Sequence, residues 1–223
     1  GDFCQEPILV DDRIEWRPAA SQSLDTDILT TPKTPFSTNG GVKLLEGNLG
    51  RCVIKTSAVD PSHHIIEAPA VVIDNQDDLR PLFDAGELDR DCVVVVRFQG
   101  PAANGMPELH KLTPMLGVLQ DRGFKVALVT DGRMSGASGK VPAAIHLVPE
   151  ALQGGLLARL QTGDVIRLDA TTGVLSALVD TTDLEHREVS LAPAARGTVG
   201  RSLFHNSRQA VSSAEEGASS LFN

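Results

Sequence analysis

The sequence predicts an α/β domain built as a barrel-like array of mixed strands flanked by helices. Three observations carry this. Apolar runs rich in β-branched residues, such as Cys92-Val-Val-Val-Val96 and Val126-Ala-Leu-Val129, are the pattern of strands covered on both faces. Glycine and proline punctuate the chain closely, which favours short elements joined by tight turns. Aromatic residues make up only 4% of a chain that is 41% apolar, so the core must be packed with Val, Ile, Leu and Ala. Helical segments do not alternate with strands regularly enough for a doubly wound sheet.

Residues 1–41 read as an extended linker with Pro7, Pro18, Pro32 and Pro35 and one short strand near Ile8 to Val10. Val42 to Leu45 and Arg51 to Thr56 follow as strands around the Gly47-Asn-Leu-Gly50 turn. Ile65 to Ile73 is a strand in which Pro69 marks an edge or bulge. Asp77 to Gly86 reads as a short helix with Pro81 in its first turn. The Cys92–Phe98 strand then runs into the loop Gly100 to Glu108, and Pro107 suits the start of a helix reaching Asp121, closed by Gly123. Beyond the second buried strand, Val148 to Gly155 forms a helical turn. Leu156 to Gln161, Asp164 to Asp169 and Val174 to Val179 alternate as a β-meander, with Thr171-Thr-Gly173 turning between the last two. The body is expected over residues 42–200, and a C-terminal tail helix over 201–223 carries Leu203, Phe204, Ala210 and Val211.

At 223 residues with a net charge of -9 and no basic cluster, the chain has no electrostatic footprint for nucleic acid or an anionic membrane surface. No apolar run approaches the roughly 20 residues of a membrane span. Without a signal-peptide pattern, a soluble, cytoplasmic protein is expected. A start at Gly1 and the linker-like opening point to a piece of a longer protein. Cys52 and Cys92 each open an apolar run and read as core thiols, while Cys4 lies in a polar segment. His63 and His64, adjacent on the chain, point apart and are poorly placed to share a metal.

Polar chemistry is concentrated where the Val126 strand ends, in Asp131-Gly-Arg-Met-Ser-Gly-Ala-Ser-Gly-Lys140. The spacing fits neither a phosphate-binding Gly-x-x-x-x-Gly-Lys-Ser/Thr loop nor a Gly-x-Ser-x-Gly nucleophile elbow. A serine flanked by Arg133 and Lys140 in a glycine-rich nest suits an anionic ligand or a hydroxyl of lowered pKa; a chemically silent polar turn is the alternative. Glu108 reads either as a helix-start carboxylate or as a neighbour of Ser135, because successive parallel strands deliver their loops to one side. Asp131 reads as structural and His146 as a supporting core histidine.

The stretch Thr130 to His146, with Gly47-Asn-Leu-Gly50, Gly105-Met-Pro-Glu108 and Gly163-Asp-Val-Ile166, resembles the C-terminal domain of the dihydroxy-acid and 6-phosphogluconate dehydratase family. The likeness runs from about Leu44 to Val179. The Gly-Arg-Met-Ser-Gly-Ala-Ser-Gly-Lys form is similar to the phosphogluconate branch, since the dihydroxy-acid branch usually has Phe at the position of Met134. This resemblance implies a swivelling β-barrel that closes over a larger N-terminal domain. That domain would hold an iron–sulfur cluster, [4Fe-4S] by expectation, and most ligands of an Mg²⁺ ion. It also implies an Entner-Doudoroff dehydratase acting on a small sugar-acid phosphate as a homodimer. Ser135 would take the C2 proton and Glu108 would reach the metal. Arg133, Ser138 and Lys140 are substrate-binding candidates, Lys140 being equally readable as a solvated lysine. None of the three cysteines matches a cluster ligand.

Overall fold

The computed structural model describes residues 5–20, 22–135, 139–194 and 197–221. The chain divides into two compact units, the first reaching Gly40 and the second starting at Gly41. The first contains an antiparallel hairpin, β1 (Gln5–Val10) and β2 (Arg13–Pro18), around Asp11 and Asp12. Both turn residues have positive φ, 47° and 60°, as a two-residue hairpin connection requires. The linker reading anticipated only the Ile8–Val10 strand.

The second unit is a closed eight-stranded barrel. Its strands are β3 (Val42–Gly47), β4 (Gly50–Lys55), β5 (Ile65–Ile73), β6 (Cys92–Val96), β7 (Val126–Thr130), β8 (Ala143–Val148), β9 (Val165–Asp169) and β10 (Val174–Ala177). Around the barrel the order is β10-β3-β4-β8-β7-β6-β5-β9. The segment β5-β6-β7-β8 is parallel, whereas β4 pairs antiparallel with β3 and β8, and β9 with β5 and β10. Pro69 ends the antiparallel stretch of β5 with β9, before Ala70–Ile73 pair with β6. The missing N–H thus falls where the strand changes partner.

Strand periodicity sorts the core into two layers. Val93, Val95, Ala127 and Val129 join Ile54, Ile66, Leu168 and Leu175 in one cluster that fills the barrel. Their neighbours Cys92, Val94, Val96, Val126 and Leu128 pack outward against α1 (Leu79–Asp84) and α3 (Leu112–Asp121). Helix α3 contributes Leu112, Met115, Leu116 and Leu119, an i, i+3, i+4, i+7 stripe. Burial pushes the Cys92 and Cys52 thiols up to about 11 and 12, in keeping with their reading as core residues. Cys4 lies outside the described residues.

The Gly47–Gly50 turn closes the barrel. Asn48 donates from Nδ2 to the Ala177 carbonyl and accepts from the Ala177 N–H, both at 2.9 Å. A Cβ on Gly47 would stand 1.9 Å from the Leu175 carbonyl oxygen, so only glycine allows β10 this close.

Three sequence expectations change. The helix after Pro107 begins at Leu112, because Glu108 pairs in a parallel bridge with Arg133 and that segment is extended; the loop before it contains a separate four-residue helix, α2 (Pro101–Asn104). Leu156–Arg159 is a 3-10 turn and not a strand, which lets the consecutive Leu157 and Ala158 both be buried. The tail forms two short helices, α5 (Val199–Leu203) and α6 (His205–Gln209), preceded by α4 (Thr181–His186). Phe204, at φ -97° and ψ 17°, interrupts the expected single tail helix.

Candidate functional site

Strands β6 and β7 are adjacent and parallel, so the loops that follow them leave the same rim of the barrel. Asp131, fully buried after β7, fixes these loops. Its Oδ1 accepts from the Gln99 N–H at 2.8 Å and its Oδ2 from the Ala151 N–H at 3.0 Å. One carboxylate thereby ties the exits of β6, β7 and β8. Burial, aided by the nearby Glu150 carboxylate, pushes the Asp131 pKa up to about 6. Glu150 accepts from the Ala102 and Ala103 N–H groups at 3.0 and 3.2 Å, serving the start of α2; burial also raises its pKa.

On this frame the structure brings Glu108, Arg133 and Ser135 together. Glu108 Oε2 accepts from Arg133 Nη1 at 2.9 Å, and Oε1 accepts from the Ser135 N–H at 2.7 Å. Arg133 Nε also donates to the Met106 carbonyl at 2.8 Å, and Met106 has a positive φ of 51°. The carboxylate therefore sets the backbone position of Ser135 and the direction of the guanidinium at once. Ser135 and Met134 line a cavity of about 250 Å³ with Val42, Lys55, Ile145 and His146.

His146 is held at φ 59° while its N–H donates to the Gly132 carbonyl at 2.8 Å. Strained non-glycine residues of this kind concentrate at sites of function. Burial, then the Arg133 charge, lowers the His146 pKa, so the imidazole is neutral at neutral pH. The sequence marks His146 only as a supporting core residue, whereas it lines the same cavity as Ser135. The sequence does not single out Lys55, which reaches the cavity from β4. No local spacing signals either position.

Lys140 pairs with Asp121, the last residue of α3, at 2.5 Å, and both side chains are exposed. It is absent from the lining around Ser135, to which Gly139 and Val141 contribute. Ser138 lies outside the described residues. Among the described residues no three His, Cys, Asp or Glu side chains are grouped to hold a metal. Glu108 retains lone pairs beyond the two hydrogen bonds that it accepts and suits a hard cation as a single ligand. The buried, protonated Cys52 and Cys92 thiols do not suit an iron–sulfur cluster. No helix among the described residues is long and apolar enough to cross a membrane.

Comparison with known proteins agrees with this architecture. The dihydroxy-acid/6-phosphogluconate dehydratase C-terminal family model matches residues 27–218. The chain is 60% identical over 222 residues to phosphogluconate dehydratase of Pseudomonas aeruginosa, and 56% identical over 221 residues to that of Escherichia coli. Each comparison covers 98% of this chain but only 36% and 37% of the relative. A dihydroxy-acid dehydratase of Wolinella succinogenes is 37% identical over 205 residues, covering 91% of this chain and 36% of that protein. The chain thus spans little more than a third of the length of these curated relatives. With its closed barrel and the matched segment running through both site loops, the chain belongs to the dihydroxy-acid/6-phosphogluconate dehydratase family, as its C-terminal domain.

Proposed function

We propose that this chain is the C-terminal part of a hydro-lyase that converts 6-phosphogluconate to 2-dehydro-3-deoxy-6-phosphogluconate, the dehydration step of the Entner-Doudoroff pathway. The observation that carries the reading is the clamp on Ser135: its N–H sits on Glu108 Oε1 at 2.7 Å while Arg133 occupies the other oxygen, at the wall of a cavity. The higher identity to phosphogluconate dehydratases than to a dihydroxy-acid dehydratase supports the substrate.

In this mechanism Ser135 Oγ, as the alkoxide, accepts the C2 proton of the substrate. The C2–H electron pair forms the C2=C3 bond as the C3 hydroxyl departs with the C3–O pair, and the proton that Ser135 Oγ gives up to return to the alkoxide completes the released water. The resulting enol then loses its O–H proton and gains one at C3, giving the 2-keto acid. A serine is a weak base unless positive charge favours its ionised form. Arg133 and the cavity-lining Lys55 supply cationic groups, and the neutral His146 imidazole can exchange a proton with the hydroxyl. Glu108 is proposed as one ligand of Mg²⁺, which when bound would polarise the substrate oxygens. An iron–sulfur cluster belongs in this reading to the N-terminal domain, and no role is assigned to this chain's cysteines. Arg133 holds Glu108 and is proposed as a substrate contact; Lys140, paired with Asp121, is proposed as a weaker one. The intact enzyme is expected to be a cytoplasmic homodimer, and this segment alone to be inactive.

The test is Ser135→Ala in the intact, cluster-loaded enzyme bearing this chain. Loss of a positioned base lowers turnover about 10²- to 10⁴-fold. Turnover at the parental rate would remove Ser135 from the chemistry. Equal rates on 6-phosphogluconate and unphosphorylated gluconate would remove the phosphate from the specificity.

A further inference from the structure

A second cavity, of about 480 Å³, is lined in part by Ala103, Asn104 and Pro107 of the Gly100–Glu108 loop. Pro107 lines it, and so does Gln76, whose Nε2 donates to the Glu108 carbonyl at 3.4 Å, so its wall is continuous with the segment carrying Glu108. Arg201 of α5 reaches into it. Two of the guanidinium N–H groups are used, Nη1 on Asn104 Oδ1 at 2.8 Å and Nη2 on the Ala103 carbonyl at 3.2 Å.

The rest of Arg201 is unmatched. Its Nε is buried without a hydrogen-bond partner, and among the described residues no carboxylate pairs with it. Most guanidinium groups of this acidic chain behave otherwise: Arg17, Arg51, Arg80, Arg97, Arg122, Arg133, Arg167 and Arg187 each have a carboxylate within 4.0 Å. The one carboxylate in this lining, Asp74, is engaged by Arg97 at 2.7 Å. A partly buried guanidinium without a counter-charge is costly unless a ligand supplies one. The same wall carries a buried acceptor without a partner, Gln76 Oε1. An adjoining recess, sharing Ala103 and Arg201, adds His205 and Arg208, and Arg208 Nη2 braces the Arg201 carbonyl at 2.8 Å.

We infer that this cavity is the subsite for the phosphorylated end of the substrate: Arg201 takes the phosphate, Arg208 adds positive potential beside it, and Gln76 Oε1 accepts from a hydroxyl of the carbon chain. A planar guanidinium whose Nε–H lacks an acceptor has a charged donor left for a phosphate oxygen. A simple anion would leave Gln76 unmatched, whereas a polyol phosphate satisfies both. In 6-phosphogluconate the phosphate lies four carbons from C2, and Pro107 of this lining is followed directly by Glu108, which anchors Ser135. This assignment rests on the proposed dehydratase reading.

The experiment uses the intact, cluster-loaded enzyme bearing this chain. Arg201→Met is expected to raise KM for 6-phosphogluconate about 30-fold, the size of one lost charge-assisted contact, with kcat within about threefold. Inhibition by inorganic phosphate should weaken in parallel, while binding of unphosphorylated gluconate, read as substrate or competitor, stays unchanged. Arg201→Lys restores part of the loss, and Arg208→Met shows a smaller rise in KM. If the parent prefers 6-phosphogluconate yet Arg201→Met leaves its KM and phosphate inhibition within about twofold, the subsite is overturned and the proposed activity stands. A parent that does not distinguish the two substrates overturns the activity instead. Should Arg201→Met melt below the assay temperature, the other two variants decide, and unchanged KM in both rejects the subsite.

Discussion

Glu108→Gln separates a latch from a reacting carboxylate. The substitution keeps shape and exchanges one oxygen for an NH₂ group. Both Glu108 oxygens face donors, Arg133 Nη1 at 2.9 Å and the Ser135 N–H at 2.7 Å, so either amide orientation sets one donor against another. The effect on folding is small. The Arg133 and Glu108 side chains are 48% and 29% exposed, and a solvent-screened pair of this kind is worth about 0.2–1 kcal/mol. The Ser135 N–H can turn to water, and the melting temperature should fall by about 2–4 °C per kcal/mol lost for a domain of this size. On the proposed mechanism the effect on turnover is much larger: the anchor of Ser135 and the proposed anionic metal ligand go together, and misplacing a reacting group costs about 10²-fold. Keto-acid formation by the intact enzyme and a thermal melt read the two effects, and Mg²⁺ titration should show weakened dependence on the ion. A variant that melts a few degrees early yet turns over at the parental rate would reduce Glu108 to a latch.

Asp131→Asn probes the buried carboxylate behind the loops. Folding raises its pKa from 3.8 to about 6, so its contribution to stability is fully present below pH 3.8 and declines as pH rises through 6. That rise corresponds to about 3 kcal/mol. Asparagine lacks this titration, and its stability deficit against the parent should therefore be greater at pH 4 than at pH 7; a deficit independent of pH refutes the burial argument. Gly100→Ala places a Cβ 2.2 Å from Glu150 Oε2 and 2.9 Å from Glu150 Cβ, displacing the whole side chain from the Ala102 and Ala103 N–H groups. The expected loss is about 1–3 kcal/mol by urea unfolding, and an unchanged midpoint would mean that Glu150 moves aside freely.

The legible part of the site was its loops. Polar residues and glycines clustered after two apolar runs, and parallel delivery of those loops to one rim brings Glu108 and Ser135 within one hydrogen bond. Lys140 shows the limit of such reading. Its neighbours in sequence line the cavity, but its ammonium goes to Asp121, because the end of α3 lies within reach on the outside of the barrel. His146 shows the converse: an unremarkable residue in an Ala-Ala-Ile-His run is turned into the cavity by a positive φ.

The sequence by itself determined the strands β6 and β7, the β9–β10 hairpin, the aliphatic core and the family likeness, since each depends on residues close along the chain. Tertiary structure decided where α3 begins, why Leu156–Arg159 is helical, how Asn48 closes the barrel and which groups share a cavity. Those features depend on partners far apart in the chain, such as Glu108 with Arg133 or Asn48 with Ala177, whose bonds outweigh the weak propensities of the segments they hold.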